Sequence, residues 1–177
     1  MARRNATILF ALIAAALPPA LAAQSKGVEL GLDGGFSYKV NSPTSLELAL
    51  PFQRFRVGFT AGRMVSIEPS AVFDYVKDEG FSSDWRFGPE LGVLLHFDSQ
   101  TNRARGYFRP FAGMTFLHSG GESANQFYLG GGVGVKLPLS VSRLAARLEG
   151  GLQHGFEGDF PSATSIYALV GLSFFTK

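Results

Sequence analysis

The feature that most constrains the fold of this chain is a two-residue alternation of apolar with polar or small side chains after residue 24. In the segment Val28–Val40, for example, Val, Leu, Phe and Tyr alternate with Glu, Gly, Asp, Ser and Lys. Successive side chains of a β-strand point to opposite faces, so this pattern predicts a strand with one apolar face. Neither heptads nor a sustained helical period follows residue 24, and we therefore predict an all-β fold.

The alternation returns in seven further segments, separated by polar or turn-forming stretches, and only in the fifth strand do both faces carry Phe, so that its phase is ambiguous. The predicted strands are Val28–Val40, Ser45–Thr60, Val65–Tyr75, Trp85–Phe97, Gly106–Leu117, Gln126–Leu137, Leu144–Gln153 and Ile166–Phe174. Within the second strand the apolar residues change parity, which predicts a β-bulge near Pro51–Arg54. An even number of short alternating strands is typical of a closed antiparallel up-and-down barrel, so we predict an eight-stranded transmembrane β-barrel.

The first 22 residues have the three-part plan of a secretory signal peptide. Arg3 and Arg4 form a basic start, Thr7–Leu17 is an apolar run of eleven residues, and Ala20-Leu21-Ala22 offers small residues for cleavage. The run is short for a permanent membrane anchor. We therefore predict a signal-peptide helix over residues 1–22, cleaved after Ala22 or Ala23, and one barrel domain over residues 23–177.

Removal of this segment changes the charge balance of the chain. The full sequence has 16 Lys and Arg against 14 Asp and Glu, and the predicted signal peptide contains Arg3, Arg4 and no acidic residue. The remainder is thus balanced at 14 against 14, without the clustered basic surface that a nucleic-acid partner requires. The absence of cysteine excludes disulfides, thiolate metal sites and a lipid-modified N-terminal Cys.

The composition of the polar face indicates which face points into the barrel. That face consists largely of glycine and of charged residues in nearly equal numbers. A narrow lumen requires small residues beside long ones, and buried charges require partners. We therefore place the apolar face outward, towards lipid, and predict a salt-bridged lumen network. Its residues are Glu29, Asp33, Glu68, Arg86, Glu90, Arg109, Lys136, Arg147 and Glu149.

The chain resembles the small outer-membrane β-barrels of the OmpA-barrel and OmpX type. The resemblance covers residues 24–177 and depends on the signal peptide, the eight alternating segments, Ser66–Ser70 (SIEPS), Arg109–Gly113 (RPFAG) and Tyr167–Phe175 (YALVGLSFF). It implies residence in the outer membrane of a Gram-negative cell envelope, among phospholipid and lipopolysaccharide, without enzymatic activity or cofactor. It also implies recognition of the C-terminal strand by the barrel assembly machinery. Such barrels usually end on an aromatic residue, whereas Phe174-Phe175 is followed here by Thr176-Lys177.

Two motifs have both a structural and a catalytic or ligand-binding interpretation. The glycines of Gly130–Gly134 resemble a phosphate-binding loop, but they lie within an alternating strand, which favours packing in a narrow lumen. His118 and Ser119 resemble the His and Ser of lipid A hydrolases among the outer-membrane barrels. As neighbours they would face opposite ways on a strand, so we expect both in a loop and predict no catalytic site.

Four functions remain open on the sequence. The first is a structural or surface-interaction barrel that presents the predicted loops Lys77–Asp84, His118–Asn125 and Phe156–Thr164 to an extracellular partner. The second is a narrow ion channel, gated by partner exchange among the lumen charges. The third is a soluble periplasmic carrier of the lipocalin type, and the fourth is a lipid A-modifying enzyme. Because eight strands enclose a space just wide enough for side chains, we favour the first, with a static salt-bridge plug.

Overall fold

A computed structural model describes residues 27–40, 45–76, 84–98, 103–120, 122–141 and 143–176. The predicted signal peptide, residues 1–22, lies outside the described residues. Strands occupy most of the described chain. In chain order they are β1 (Val28–Lys39), β2 (Ser45–Thr60), β3 (Val65–Val76), β4 (Asp84–His96), β5 (Arg105–Ser119), β6 (Glu122–Pro138), β7 (Leu144–Gly155) and β8 (Ala163–Phe175).

The eight strands form one closed barrel in which every strand pairs antiparallel with its sequence neighbours. The first and last strands close it, since β1 pairs with β8 from Glu29 opposite Phe175 to Lys39 opposite Ser165. The predicted all-β, eight-stranded antiparallel up-and-down barrel is thus confirmed. Within the described part of the chain, no helix has the length and apolarity needed to cross a membrane.

The two ends of the barrel differ in the connections that they carry. At one end, here the terminal end, β1 begins and β8 stops, and the short turn Ala61–Met64 joins β2 to β3. The connections from β4 to β5 and from β6 to β7 also lie there. At the opposite end, here the loop end, Phe156–Ser162 joins β7 to β8. A two-residue turn at Gly120, which has a φ of 61°, joins β5 to β6.

The strand pairing is staggered around the barrel. A path of paired residues that begins at Phe36, three residues before the end of β1, passes through Gly150 on β7 and Phe108 on β5. It reaches β3 only at Val65, beside the turn at the terminal end. Such a stagger requires strands that tilt relative to the barrel axis, and the tilt determines the width of the lumen.

Prolines interrupt the hydrogen-bonded ladders at defined places. The register between β1 and β2 shifts between Asp33 and Gly35, where Ala49 and Arg54 are the flanking partners on β2. This confirms the predicted β-bulge around Pro51. The β2–β3 ladder has a gap at Pro69, and the β4–β5 ladder has gaps at Pro89 and Pro110. Proline has no backbone N–H to donate, so each gap follows from the residue type.

The outward face of the barrel is apolar over most of its height. Val133 is 62% exposed and Leu148 is 46% exposed, whereas Arg147, next to Leu148, is 1% exposed. Large apolar side chains are exposed along all the strands whose side chains the structure describes. They include Leu30, Leu32, Phe55, Phe73, Phe87, Leu95, Phe108, Leu129, Leu152, Ile166, Val170 and Leu172. The predicted outward direction of the apolar face is confirmed.

Candidate functional site

The inward face of the barrel carries a network of charged and hydroxyl-bearing side chains, to which all eight strands contribute. Alternation within each strand sends these residues inward and their neighbours outward. Most are less than a tenth exposed, in the middle of the barrel. The charged members are Glu29, Asp33, Arg54, Arg56, Glu68, Glu90, Arg109, Lys136, Arg147 and Glu149.

Arg56 on β2 holds the part of the network nearest the closing seam. Its Nε donates to Asp33 Oδ2 at 2.9 Å, and its Nη1 donates to Glu29 Oε1 at 2.5 Å. Its Nη2 passes across β1 and donates to Ser173 Oγ on β8 at 2.7 Å and to the carbonyl oxygen of Leu172 at 3.3 Å. One guanidinium therefore joins β2, β1 and β8.

Glu68 on β3 is the common acceptor at the centre of the lumen. Its Oε2 accepts from Arg147 Nη1 at 2.7 Å and lies 3.5 Å from Arg56 Nη1, while its Oε1 lies 3.1 Å from Arg109 Nε. The Glu68 side chain is 1% exposed. A carboxylate with so little solvent is stabilised in its ionised form only by nearby cations, and three guanidinium groups supply that charge here.

Glu149 and Glu90 complete the network towards the loop end. Glu149 Oε1 accepts from Tyr167 at 3.0 Å and from Arg109 Nη1 at 3.3 Å, and its Oε2 accepts from Tyr107 at 2.8 Å and from Arg147. Glu90 accepts from both Arg109 and Arg54. The ten charged members comprise five cations and five carboxylates, so the network is formally neutral.

Aromatic rings fill the space that the charged groups leave. Phe111 packs edge-on against Tyr128 and Tyr167, with ring centroids 6.3 and 5.8 Å apart. Arg109 lies over the Phe111 ring at 4.8 Å, and Arg147 lies over the Tyr107 ring at 5.1 Å. Such cation–π contacts stabilise a desolvated guanidinium by a further ~1–2 kcal/mol.

Inward-facing glycines make room for these rings. A Cβ atom on Gly132 would collide with the Tyr167 hydroxyl, and one on Gly134 would collide with the Tyr107 hydroxyl. Gly130 faces Phe111 in the same way, and Gly113 faces Tyr128. The glycines of Gly130–Gly134 are therefore part of the packing of a narrow lumen, as the pattern of the sixth strand predicts, and β6 continues through them without a phosphate-binding helix.

The structure brings eight of the nine sequence-predicted lumen residues into one network. These are Glu29, Asp33, Glu68, Glu90, Arg109, Lys136, Arg147 and Glu149. The ninth, Arg86, lies nearer the loop end and pairs with Asp74 on β3, with its Nη2 2.6 Å from Oδ2. In the alternative of a gated channel, an exchange of partners between Arg86 and the central carboxylates would therefore start from a separate ion pair.

Sequence reasoning missed Arg54 and Arg56. Both follow the bulge of β2, and both alternate with the outward-facing Phe55 and Val57, so their parity alone places them inward. The hydroxyls of Tyr107, Tyr128 and Tyr167 were also missed as network members. Tyr128 and Tyr167 share the parity of the inward glycines, whereas the parity of Tyr107 could not be read because both faces of the fifth strand carry Phe.

Two cavities lie on either side of the network and share no lining residue. The cavity on the loop-end side measures about 160 Å³ and is lined by Arg54, Glu90, Tyr128 and Tyr167, among others. The cavity on the terminal-end side measures about 500 Å³ and is lined by Glu29, His96 and Lys136, among others. Between them lie Arg56, Glu68, Arg109 and Arg147, each at most 1% exposed.

The predicted loop His118–Asn125 was wrong, because β5 and β6 continue to Ser119 and Glu122 and leave only a two-residue turn. His118 and Ser119 therefore lie on a strand. His118 Nδ1 lies 3.0 Å from Oγ of Ser123, the residue opposite it on β6, within hydrogen-bond distance. His154 pairs in the same way with Thr164 across β7 and β8, at 2.9 Å.

The geometry of these two histidine contacts does not by itself indicate a catalytic or binding site, because outward side chains at directly opposed positions of antiparallel strands commonly contact each other. The described residues include no group of three His, Asp or Glu side chains placed to hold a metal ion. Of the other two predicted loops, residues 77–83 lie outside the described part of the chain. The third is shorter than predicted, because β8 already begins at Ala163.

Comparison with solved structures bears on the fold. The barrel superposes on Ail, the attachment invasion locus protein of Yersinia pestis, with a TM-score of 0.50 at 10% identity, over 86% of this chain and 100% of that one. It superposes on the N-terminal β-barrel domain of Pseudomonas aeruginosa OprF with a TM-score of 0.52 at 13% identity, over 85% of this chain and 98% of that one. The chain has the fold of these eight-stranded barrels. No protein-family model matches the sequence, and no curated protein matches it significantly.

Proposed function

We propose that this chain is an integral protein of the bacterial outer membrane, with a structural or surface-interaction role and a lumen closed by its own side chains. The observation that most directly supports a location in the membrane is the apolar outward face of the barrel. A soluble monomer rarely exposes a contiguous apolar patch of more than a few hundred Å². Here exposed Leu, Val, Ile and Phe side chains surround the barrel, while the charges lie inside.

Closure of the sheet into a barrel supports the same proposal. In the hydrocarbon region of a bilayer, backbone N–H and C=O groups have no water to bind, and only helices and closed barrels satisfy them internally. The pairing of β1 with β8 leaves no free edge along the paired length. The fold shared with OprF and with Ail, an attachment invasion locus protein, also supports this proposal. The proposal further includes assembly through the C-terminal strand and outward contacts through the loop end.

The packing of the lumen argues against the alternative of a soluble carrier. A lipocalin-type barrel holds an apolar ligand in an apolar interior. The interior here is occupied by ion pairs, tyrosines and Phe111, and Leu94 is its single fully buried Leu among the described residues. The inward residues thus favour a stabilised plug over a hydrophobic ligand cavity.

The test is the location and behaviour of the protein in the envelope. We expect it in the outer-membrane fraction after alkaline washing, solubilised only by detergent, and with different gel mobility before and after boiling. The difference arises because a closed barrel resists dodecyl sulfate until it is heated. Recovery in the soluble periplasmic fraction, with the same gel mobility before and after boiling, would contradict the proposal. Analysis of lipid A with and without expression of the protein separates this role from a lipid-modifying activity.

A further inference from the structure

The cavity on the terminal-end side of the network, here the basic vestibule, has a composition unlike that of the rest of the lumen. Its volume is about 500 Å³, about three times that of the cavity on the other side. Its charged and imidazole lining residues are Glu29, His96, Arg103, Arg105, Lys136 and Arg143. Four cations therefore face one carboxylate, in a lumen whose centre is balanced.

The one carboxylate in the lining is already fully engaged. Glu29 Oε1 accepts from Arg56 Nη1 at 2.5 Å, and Glu29 Oε2 accepts from Lys136. Among the described turn residues at the terminal end, Asp98 is the only further carboxylate, so the cations there still outnumber the carboxylates. Arg105, which lies beside it, donates to the backbone carbonyls of Asp98 and Arg63, both at 2.6 Å. The vestibule therefore retains an excess of positive charge.

His96 adds a buried donor to this charge. Its side chain lies 3% exposed, and its Nε2 is 3.1 Å from Ser66 Oγ. Its Nδ1 is buried without a hydrogen-bond partner. When the Ser66 hydroxyl donates to Nε2, the neutral ring carries its proton on Nδ1. A buried N–H without an acceptor costs ~1–3 kcal/mol, and a ligand that supplies the acceptor removes that cost.

We propose that the basic vestibule binds an anion of the phosphate class, which enters from the terminal end. Phosphate oxygens are the acceptors that guanidinium and ammonium groups hold best, through short charge-assisted hydrogen bonds. Arg103 and Arg143 stand exposed at the rim, where they meet an incoming anion first, and Lys136 and His96 lie deeper. The same chemistry is supplied by free inorganic phosphate and by the phosphate of a lipid headgroup. The site does not depend on the role proposed above, since it is a property of the folded barrel alone.

The test is calorimetric titration of inorganic phosphate into the full-length mature barrel. A glucoside detergent is needed, because phosphocholine detergents carry the group under test. We expect saturable binding of one phosphate that weakens as sodium chloride is raised. In the double variant Arg103→Gln/Arg143→Gln the affinity falls at least about tenfold, because two charge-assisted contacts are lost. The control Lys39→Gln removes a cation at the loop end and leaves the affinity unchanged.

Nitrogen NMR with labelled histidine gives a second, independent readout. Phosphate shifts the Nδ1 signal of His96 and leaves those of His118 and His154, at the other end, in place. Parallel titration with dihexanoyl phosphatidic acid distinguishes the sources, since a headgroup site binds it much more tightly than inorganic phosphate, whereas a free-anion site binds both alike. The proposal is overturned if neither probe binds, if the double variant binds as well as the parent, or if the His96 signal does not move.

Discussion

Arg147 and Glu68 meet across the full width of the lumen. Arg147 projects from β7 and Glu68 from β3, which are opposite strands of the barrel, and Arg147 Nη1 donates to Glu68 Oε2 at 2.7 Å. Both side chains are 1% exposed. The pair therefore connects opposite walls without solvent, and Arg56, Arg109 and Glu149 each contact one of the two.

Arg147→Met should be strongly destabilising. The change leaves Glu68 and Glu149 buried with fewer cations, and breaking a buried ion pair by removal of one partner costs ~3–5 kcal/mol. Urea unfolding of the barrel in detergent micelles, followed by tryptophan fluorescence, measures the loss. Arg86→Met is the matched control, because the Arg86 side chain is 30% exposed, and its loss costs less than ~1 kcal/mol. Equal stability of the two variants would show that the central pair contributes little.

Adjacent glycines of β6 should respond oppositely to alanine. Gly132→Ala places a methyl group against the Tyr167 hydroxyl and 3.1 Å from the Gly150 carbonyl oxygen, and overpacking of this kind costs ~1–3 kcal/mol. At Gly131 the same methyl group faces outward, 3.5 Å from the Phe108 ring, an ordinary contact. Gly131→Ala is thus close to neutral. The same urea titration compares them, and a larger loss in Gly131→Ala than in Gly132→Ala would contradict the assignment of faces.

An arginine on the outer wall tests the bilayer directly. Val133 is 62% exposed near the middle of the apolar face, and Val133→Arg costs ~2–4 kcal/mol if that position lies at the centre of a membrane. Val141 is 60% exposed but lies in the turn after β6, so Val141→Arg is expected to be neutral. Folding into phospholipid vesicles, monitored by gel mobility without boiling, measures the difference. Equal folding of both variants would place the wall in water.

The lumen should conduct no ions in its resting state. Arg56, Glu68, Arg109 and Arg147 separate the two cavities and are each at most 1% exposed. Planar-bilayer recordings of the parent protein are therefore expected to remain at background. Glu90→Ala frees Arg54 and Arg109 from a shared partner, and conductance in this variant alone would identify a gate. Discrete openings of the parent protein would disprove the plug.

The sequence predicts the barrel well because each strand position has a binary choice of face. Alternation places Glu68, Glu90 and Glu149 inward without further information, and the parity change at Pro51 predicts the bulge. Pairing across the lumen is a different matter. Which carboxylate Arg147 meets depends on the stagger of the strands, and a single sequence contains no direct signal for it. Arg86 illustrates the difference, since its parity is right and its partner, Asp74, is set by its height in the barrel.

Strand ends were the least predictable part of the chain. Residues 118–125 contain Ser, Gly, Glu and Asn, which are typical of loops, yet the β5–β6 hairpin continues through them to a two-residue turn. Strand pairing outweighs the loop-like composition of this segment, because His118 opposite Ser123 and Leu117 opposite Ala124 continue the ladder. The cross-strand partners of His118 and His154 could only be known once the registers were fixed.

Arg56 reinforces the closing seam from inside the barrel. By spanning β1 to reach Ser173, its guanidinium ties the last strand to the second as well as to the first. A barrel formed from one sheet would be expected to open at the seam where its first and last strands pair. Here the Arg56 guanidinium holds this seam from inside the lumen, where solvent and denaturant reach it only after the strands have separated. Opening of this chain is thus expected to start elsewhere, at the proline-broken ladders.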